Sequence, residues 1–258
     1  MSHTAYLEHE GPIPLAHRGF DLHGLENSMK AFQSAIDLGF QYLETDVHAT
    51  SDGVLVAFHD ATLDRTTDHA GEIARMPWSQ VSEAKIGGTE QIPLLEQMLH
   101  AWPTARFNID IKAPAAIGPL VRVIERARAH DRVCVTSFSD VRRRAALSRL
   151  TRPVVTSAGQ TRTAQFRLAT LARGRGQRLV SATLRDADGL QVPVSHQGIP
   201  VVTAATVAAA HAADKFVHVW TVNDPTQMHQ LLDLGVDGLV TDRADLLKKV
   251  LQERGLWS

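Results

Sequence analysis

Short apolar segments alternate with amphipathic segments of helical periodicity along nearly the whole chain, and this alternation constrains the fold most strongly. Such an alternation is typical of parallel sheets whose strands are connected by helices. Eight strand–helix units within 258 residues match the usual size of a closed (β/α)8 barrel. The sequence therefore predicts one α/β domain, a TIM barrel, with strands that begin at Ile13, Tyr42, Arg106, Val133, Val154, Leu190, Val217 and Gly238.

An open, doubly wound sheet is the alternative arrangement for this alternation. No GxGxxG motif follows the first strand, and no GxxxxGK[ST] motif occurs in the sequence, so the nucleotide-binding signatures of that fold are missing. Residues 61–91 are polar and interrupt the pattern. We interpret them as a small insertion over the mouth of the barrel, because they are too few to hold a core of their own.

Histidine, acidic and basic side chains collect at the ends of the first strands. Glu44 and Asp46 are two residues apart on one strand, so they share a face about 7 Å apart. His17 and Arg18 end the preceding strand, and His59 ends the strand-like run 54–59. Because α/β enzymes build their sites at the carboxyl ends of strands, these residues predict an active site there.

The third strand adds Asp110 and Lys112, again on one face. Neighbouring barrel strands bring Asp110 close to Glu44 and Asp46, and three carboxylates suit Mg²⁺ or Ca²⁺ better than Zn²⁺. His48 shares the face of Glu44 and Asp46, either as a further ligand or as a core residue. The sequence thus predicts a site for a hard divalent cation.

A cation beside Arg18 and Lys112 makes a positively charged pocket that fits a phosphoryl ester. Cleavage of a phosphodiester needs a base for the nucleophile and an acid for the leaving alkoxide. His17 and His59 come from different strand ends and are able to supply both functions. We therefore predict phosphodiester hydrolysis with these two histidines on opposite sides of phosphorus.

A series of ordered motifs between residues 15 and 247 resembles the glycerophosphodiester phosphodiesterase family. In chain order the motifs are HRG, EN, ETDVHATSDG, FHD, LDRTT, IPLLEQML, IDIK, VWTVND and GVDGLVTD. The resemblance implies a TIM-barrel hydrolase, metal-dependent in most members, that converts glycerophosphodiesters to sn-glycerol 3-phosphate and an alcohol. It also implies attack by the glycerol 2-hydroxyl, through a cyclic intermediate that water opens.

The same resemblance implies roles for single residues: His17 and His59 match the family's acid–base pair, and Glu44 and Asp46 match its metal ligands. Asp110 falls where the family usually has the glutamate of an EIK motif, so its carboxylate is drawn back by about 1.5 Å. Further matches, expected to bind phosphate or substrate, are Arg18, Lys112, Glu26 and Asn27; Ser28 replaces the threonine of the family's ENT motif.

Two residues within these motifs have alternative interpretations. Trp220 either walls a glycerol or alcohol subsite or fills the barrel rim, and Asp242 either caps the last helix or touches ligand. A lysophospholipase D-like activity on monoacyl lipids would need an apolar groove, for which the insertion offers Ile73, Met76, Trp78 and Ile86. A catalytically silent, phosphodiester-binding barrel is disfavoured, because no acid–base or metal residue is lost.

Charge is unevenly distributed along the chain. Residues 122–178 hold 14 arginines and 3 acids, a balance of +11, which leaves −12 for the rest of a chain with net charge −1. We interpret the arginines as solvated outer helix faces rather than a nucleic-acid site, and peripheral membrane contact stays open. No signal peptide or membrane span is visible, so cytoplasmic location is the default expectation, and Cys134 is expected to be a buried, inert thiol.

Overall fold

The computed structural model describes residues 5–172 and 176–257, and its centre is a closed barrel of eight parallel strands. Each strand pairs with its neighbours in chain order, and the first also pairs with the last. This closure confirms the predicted TIM barrel and excludes the open sheet. The strands are β1 Ile13–His17, β2 Tyr42–Ala49, β3 Arg106–Ile111, β4 Val133–Thr136, β5 Val155–Ala158, β6 Gly189–Pro193, β7 Phe216–Trp220 and β8 Gly238–Thr241.

Helices cover the outside of this barrel. Ser28 caps the first one, because its side chain accepts a hydrogen bond from the backbone N–H of Ala31 at 3.1 Å. Among the described residues the helices that follow the strands are α1 Met29–Asp37, α2 Leu95–Ala101, α3 Ile117–Ala127, α4 Asp140–Leu147, α5 Gln160–Thr170, α6 Gly176–Thr183, α7 Ala204–His211, α8 Pro225–Asp233 and α9 Ala244–Glu253.

The predicted helix boundaries need one correction and one addition. The sequence pattern predicts a helix over residues 164–173, whereas the observed helix begins four residues earlier, at Gln160. The last predicted residue, Arg173, lies outside the described residues, as do Gly174 and Arg175. The sequence analysis did not predict α6, which follows that gap. No helix in the described part of the chain is long and apolar enough to cross a membrane.

Side chains of the strands alternate between two buried environments. Leu43 and Val47 of β2 point outward into the main hydrophobic core between the strands and the helices. Glu44 and Asp46 occupy the alternate positions of this strand. They therefore point into the barrel, where both are buried. Tyr42 and Cys134 belong to a separate apolar cluster inside the barrel, and burial raises the pKa of the Cys134 thiol, which fits an inert residue.

The segment 61–91 packs beside the barrel on a small strand. Leu55–Ala57 runs antiparallel to the end of β2, and a separate apolar cluster forms over it. The insertion supplies Ile73 and Ile86 to this cluster, while Val56 and Phe58 from outside the insertion complete it. The segment thus depends on its neighbours for a core, and its apolar residues face away from the cavity described below.

The arginine-rich region is only in part a solvated surface. Arg143 on α4 is 0% exposed, and it donates hydrogen bonds to the carbonyl of Asp186 and to the carboxylates of Asp186 and Asp140. Arg132 likewise donates to backbone carbonyls, including that of Leu99. These two arginines hold segments together, contrary to the expectation of outer, solvated side chains.

Candidate active site

A cavity of about 1130 Å³ opens at the carboxyl ends of the strands. Its wall brings together eight of the ten residues predicted for the site, whose sequence positions span more than 200 residues. They are His17, Arg18, Glu44, Asp46, His59, Asp110, Lys112 and Trp220. The other two, Glu26 and Asn27, do not line the cavity.

Asp46 lies at the centre of the charged floor. Lys112 Nζ is 2.7 Å from Asp46 Oδ1 and 2.7 Å from Asp110 Oδ2, and Arg18 Nε is 3.0 Å from Asp46 Oδ2. Burial would raise the pKa of Asp46, but Lys112 and Arg18 outweigh it and hold the pKa below its usual value. Asp46 is therefore a permanent anion between two cations.

Glu44 and Asp110 have fewer partners. Burial and the repulsion from Asp46 raise the pKa of Glu44 to about 7, and burial raises that of Asp110 to about 6. Glu44 Oε2 and Asp110 Oδ1 are buried and have no hydrogen-bond partner among the described residues. Glu44 Oε2 lies 3.7 Å from His17 Nε2, which is beyond hydrogen-bonding distance, and a bound cation would stabilise these two carboxylate oxygens that accept no hydrogen bond.

The carboxylates do not converge on one point as they stand. No group of three or more histidine, cysteine or acidic side chains in residues 5–172 and 176–257 has the arrangement of a metal site. The ammonium group of Lys112 lies between Asp46 and Asp110. The donor set fits a hard cation by chemistry, and Lys112 competes with that cation for two of the three carboxylates.

His17 and His59 each use one ring nitrogen to contact an aspartate. Nδ1 of His17 is 2.5 Å from Asp242 Oδ1, and Nδ1 of His59 is 2.5 Å from Asp60 Oδ1. An ionised carboxylate only accepts hydrogen bonds, so Nδ1 carries the proton in both rings. Nε2 is then the nitrogen that each histidine has available for a substrate.

The two histidines differ in electrostatic surroundings. Burial would lower the pKa of His17, but Glu44 and the hydrogen bond to Asp242 outweigh it and raise the pKa. Burial lowers the pKa of His59, and the aspartates near it offset this only in part. The two pKa shifts have opposite directions, so they favour the protonated form of His17 and the neutral form of His59.

Glu26 and Asn27 stand behind the cavity wall. Glu26 Oε1 is 2.9 Å from Arg18 Nη1, and Asn27 Nδ2 is 3.5 Å from Asp46 Oδ2. Arg65 of the insertion donates to both Glu26 and Asp60. Arg65 thus connects Glu26, which contacts Arg18, with Asp60, which contacts His59.

The sequence analysis did not assign a role to Arg65, Asp60 or a His17–Asp242 contact. Asp60 directly follows His59, and Arg65 lies in the LDRTT motif, so both carried a signal in the sequence. His48 is a different case, because its Nε2 lies 3.1 Å from the carbonyl oxygen of His59 and the residue does not line the cavity. It anchors the loop that carries His59, and the structure does not place it among the carboxylates.

The outer part of the cavity is largely apolar. Leu168, Leu171 and Ile199 line it and are 69%, 71% and 62% exposed, so they form the rim of the mouth. Phe138 packs edge to face on Trp220 at 5.6 Å between ring centroids, which makes Trp220 part of the cavity wall. The expected contribution of the insertion to an apolar groove is wrong, because Ile73 and Ile86 are fully buried and Met76 and Trp78 pack on their cluster.

Comparison with known proteins gives consistent results. The profile of the Glycerophosphoryl diester phosphodiesterase family matches residues 17–246. A Mycobacterium tuberculosis protein named probable glycerophosphodiester phosphodiesterase 2 is 49% identical over 254 residues, covering 98% of this chain and 95% of the relative.

Solved structures share the fold. A structure from Silicibacter pomeroyi DSS-3 superimposes with a TM-score of 0.82 at 20% identity and covers 100% of this chain and 99% of its own. An Oleispira antarctica phosphodiesterase in complex with the product sn-glycerol-3-phosphate has a TM-score of 0.76 at 22% identity, with 94% and 97% coverage. Because the family profile spans most of the chain and the mycobacterial relative spans nearly all of it, this protein belongs to the glycerophosphoryl diester phosphodiesterase family.

Proposed function

We propose that the protein hydrolyses glycerophosphodiesters to sn-glycerol 3-phosphate and an alcohol, with His17 and His59 as its acid–base pair. The observation that carries this proposal is that both histidines line one cavity with Nδ1 bonded to an aspartate and Nε2 available. The product bound to the Oleispira antarctica relative is the product expected here.

Arg18 and Lys112 are the groups that bind the phosphodiester. Both line the cavity, and each already contacts Asp46, so the cations are held in place before a substrate arrives. Fixed cations stabilise the negative charge that grows on the phosphoryl oxygens without the cost of reorganising solvent. Glu26 supports this by holding the guanidinium of Arg18 from behind.

The histidines transfer the protons. A neutral His59 takes the proton from the attacking hydroxyl, and a protonated His17 gives its proton to the oxygen of the leaving alcohol. The directions of their pKa shifts support this division. The two histidines exchange these roles when water completes the hydrolysis.

Glu44, Asp46 and Asp110 are the residues that would hold a divalent cation, Mg²⁺ or Ca²⁺. When bound, such a cation supplies Lewis-acid polarisation of the phosphoryl oxygens. The unpartnered oxygens of Glu44 and Asp110 support this assignment. Asp110 in place of the family's glutamate draws one donor back, and we expect this to affect which cation binds better.

The test measures release of glycerol 3-phosphate from glycerophosphocholine, glycerophosphoethanolamine and glycerophosphoglycerol in a coupled dehydrogenase assay. It is run with EDTA and with added Mg²⁺, Ca²⁺ or Mn²⁺. We expect metal-dependent release, abolished by His17→Ala or His59→Ala and unaffected by His100→Ala, a helix residue whose ring bonds to its own helix backbone. Turnover retained without either histidine refutes the acid–base assignment, and full activity in EDTA refutes the cation.

A second candidate substrate is a monoacyl glycerophospholipid, and the apolar outer cavity favours it. Leu168, Leu171 and Ile199 line the outer part of this cavity of about 1130 Å³ and offer apolar surface to an acyl chain. We expect Leu168→Ser to lower kcat/KM for lysophospholipids while leaving that for glycerophosphoglycerol unchanged. Equal effects on both substrates, or no turnover of lysophospholipid at all, contradict this candidate.

A further inference from the structure

We propose that Asp242 is a positioning residue that sets the tautomer and the orientation of the His17 ring, and that Asn223 holds Asp242 in place for this task. The inference rests on the proposed role of His17 in proton transfer. It assigns a function to two side chains on loops after β7 and β8, far from His17 in sequence.

The closed barrel brings Asp242 to His17. β1 and β8 pair in parallel, with Ala16 opposite Thr241, so the residues that follow these two positions are neighbours. The carboxylate of Asp242 binds Nδ1 of His17 at 2.5 Å, and Nε2 of the same ring is 3.7 Å from Glu44 Oε2. The ring is therefore oriented with its second nitrogen toward the carboxylate floor of the cavity.

Helix capping does not account for Asp242. The residue at the N-cap of α9 is Arg243, and no side chain caps that helix by a hydrogen bond. Oδ1 of Asp242 contacts His17, and its Oδ2 accepts a hydrogen bond from Asn223 Nδ2 at 2.8 Å. Both carboxylate oxygens are thus used by side chains, which excludes the capping interpretation given in the sequence analysis.

Asn223 fixes the carboxylate because its own amide is held in one orientation. Asn223 Oδ1 accepts hydrogen bonds from the backbone N–H of Asp242 at 2.9 Å and from Thr241 Oγ1 at 3.0 Å. A flipped amide would turn its NH2 group against two donors, so Nδ2 must face Asp242. The side chain of Asp242 is 50% exposed, so the bond from Asn223 is a second restraint on its orientation beside the contact with His17.

These hydrogen bonds predict how the substitution Asp242→Asn changes the tautomer of His17. In Asp242→Asn, the NH2 group of Asn223 would face either a second NH2 group or the new carbonyl oxygen, and only the latter forms a hydrogen bond. The new NH2 group then points at His17 and donates to Nδ1, which forces the proton to Nε2. The substitution therefore selects the wrong tautomer although it keeps the size of the side chain.

Exchanging the two groups should restore the arrangement. In the double variant Asn223→Asp/Asp242→Asn, the carboxylate at position 223 accepts from Thr241, from the backbone and from the new amide. The oxygen of that amide then accepts from Nδ1 of His17, as the native carboxylate does. A residue with only a structural role does not predict recovery by this exchange.

The experiment measures kcat and KM for glycerophosphoglycerol and, at a pH high enough to make the ring of His17 neutral, the ring ¹⁵N shifts of His17 in the metal-free protein, because only a neutral ring has a tautomer. We expect Asp242→Asn to lower kcat by on the order of 10²-fold with KM changed by less than about threefold, and to move the ring proton to Nε2. The double variant should recover kcat to within about tenfold of the native value and restore the Nδ1–H tautomer. Asp245→Ala, which removes a carboxylate that binds Arg243 in the first turn of the same helix, is the matched control and should change neither readout.

Three outcomes overturn the inference: a kcat for Asp242→Asn within about threefold of native, an unchanged tautomer, or a double variant no better than the single one. His17→Ala separates this failure from a failure of the proposed function. If His17→Ala is inactive while Asp242→Asn is active, only the positioning role is wrong. If His17→Ala is itself active, the role of His17 in catalysis is wrong.

Discussion

His218, the buried histidine of β7, should make the free energy of unfolding depend on pH. A substitution by a neutral residue should remove this part of the pH dependence. His218 is 0% exposed and stacks on Phe216 with 4.3 Å between ring centroids. Neither ring nitrogen has a hydrogen-bond partner among the described residues. Burial lowers the pKa of His218 to about 3, so the folded protein holds this ring neutral.

The sign and the size follow from the two pKa values. An unfolded histidine titrates near a pKa of about 6.5, so the unfolded chain binds more protons than the folded one between that pH and about 3. Stability from this residue is full above pH 6.5 and is lost by about 1.4 kcal/mol for each pH unit below it. Lowering the pH from 7 to 5 therefore costs about 2 kcal/mol through His218 alone.

The measurement is urea unfolding of the native protein and of His218→Gln at pH 7 and pH 5. Glutamine is neutral at both values and smaller than an aromatic ring, which matters because Gly238 packs closely on this side chain. Other groups titrate equally in both proteins, so their effect cancels in the comparison. We expect the native protein to lose about 2 kcal/mol more than His218→Gln between the two pH values, and equal losses would refute a buried neutral histidine.

Three further predictions, one of them with a matched control substitution, test other parts of the structure. Arg65→Ala should lower kcat/KM roughly tenfold, since it frees the carboxylates behind Arg18 and His59, while thermal melting should shift little because the arginine is half exposed. Gly19→Ala should destabilise by about 3 kcal/mol in denaturant unfolding, because φ is +86° and the new Cβ would lie 2.6 Å from the next helix backbone; Gly24→Ala, at φ +84° with open space, should cost only about 1 kcal/mol. Arg143→Met should cost about 3 kcal/mol by the same measurement because it removes the buried cation that contacts the carboxylates of both Asp140 and Asp186, and a loss below about 1 kcal/mol would contradict this buried network.

The barrel could be predicted from the sequence because each strand and each helix has its own short-range pattern of apolar residues. The apolar strands and amphipathic helices are short-range patterns, and the predicted start of every strand lies within one residue of the observed one. A strand that starts near Leu190 can hold Pro193 only at its end, because proline has no N–H for the sheet, and Pro193 is the last residue of β6. Alternation of side chains along β2 likewise placed Glu44 and Asp46 on one inward face.

The same patterns could not predict contacts between segments that are far apart in the sequence. The apolar rim comes from α5 and from the segment around Ile199, on elements whose exposure depends on how neighbouring helices pack. The sequence analysis assigned the groove to the insertion, because an apolar residue such as Ile73 has the same pattern whether it faces a cavity or a core. The position of Lys112 between Asp46 and Asp110 also depends on a rotamer that no sequence period encodes.

The hydrogen bond between His17 and Asp242 joins residues 225 positions apart. A ribosome that has made seven of the eight strands has therefore made neither the last barrel edge nor the partner of the first histidine. The contact between His17 and Asp242 forms only when β8 and the residue that follows it are in place. A chain that stops before β8 therefore lacks both the closure of the barrel and the carboxylate that contacts Nδ1 of His17.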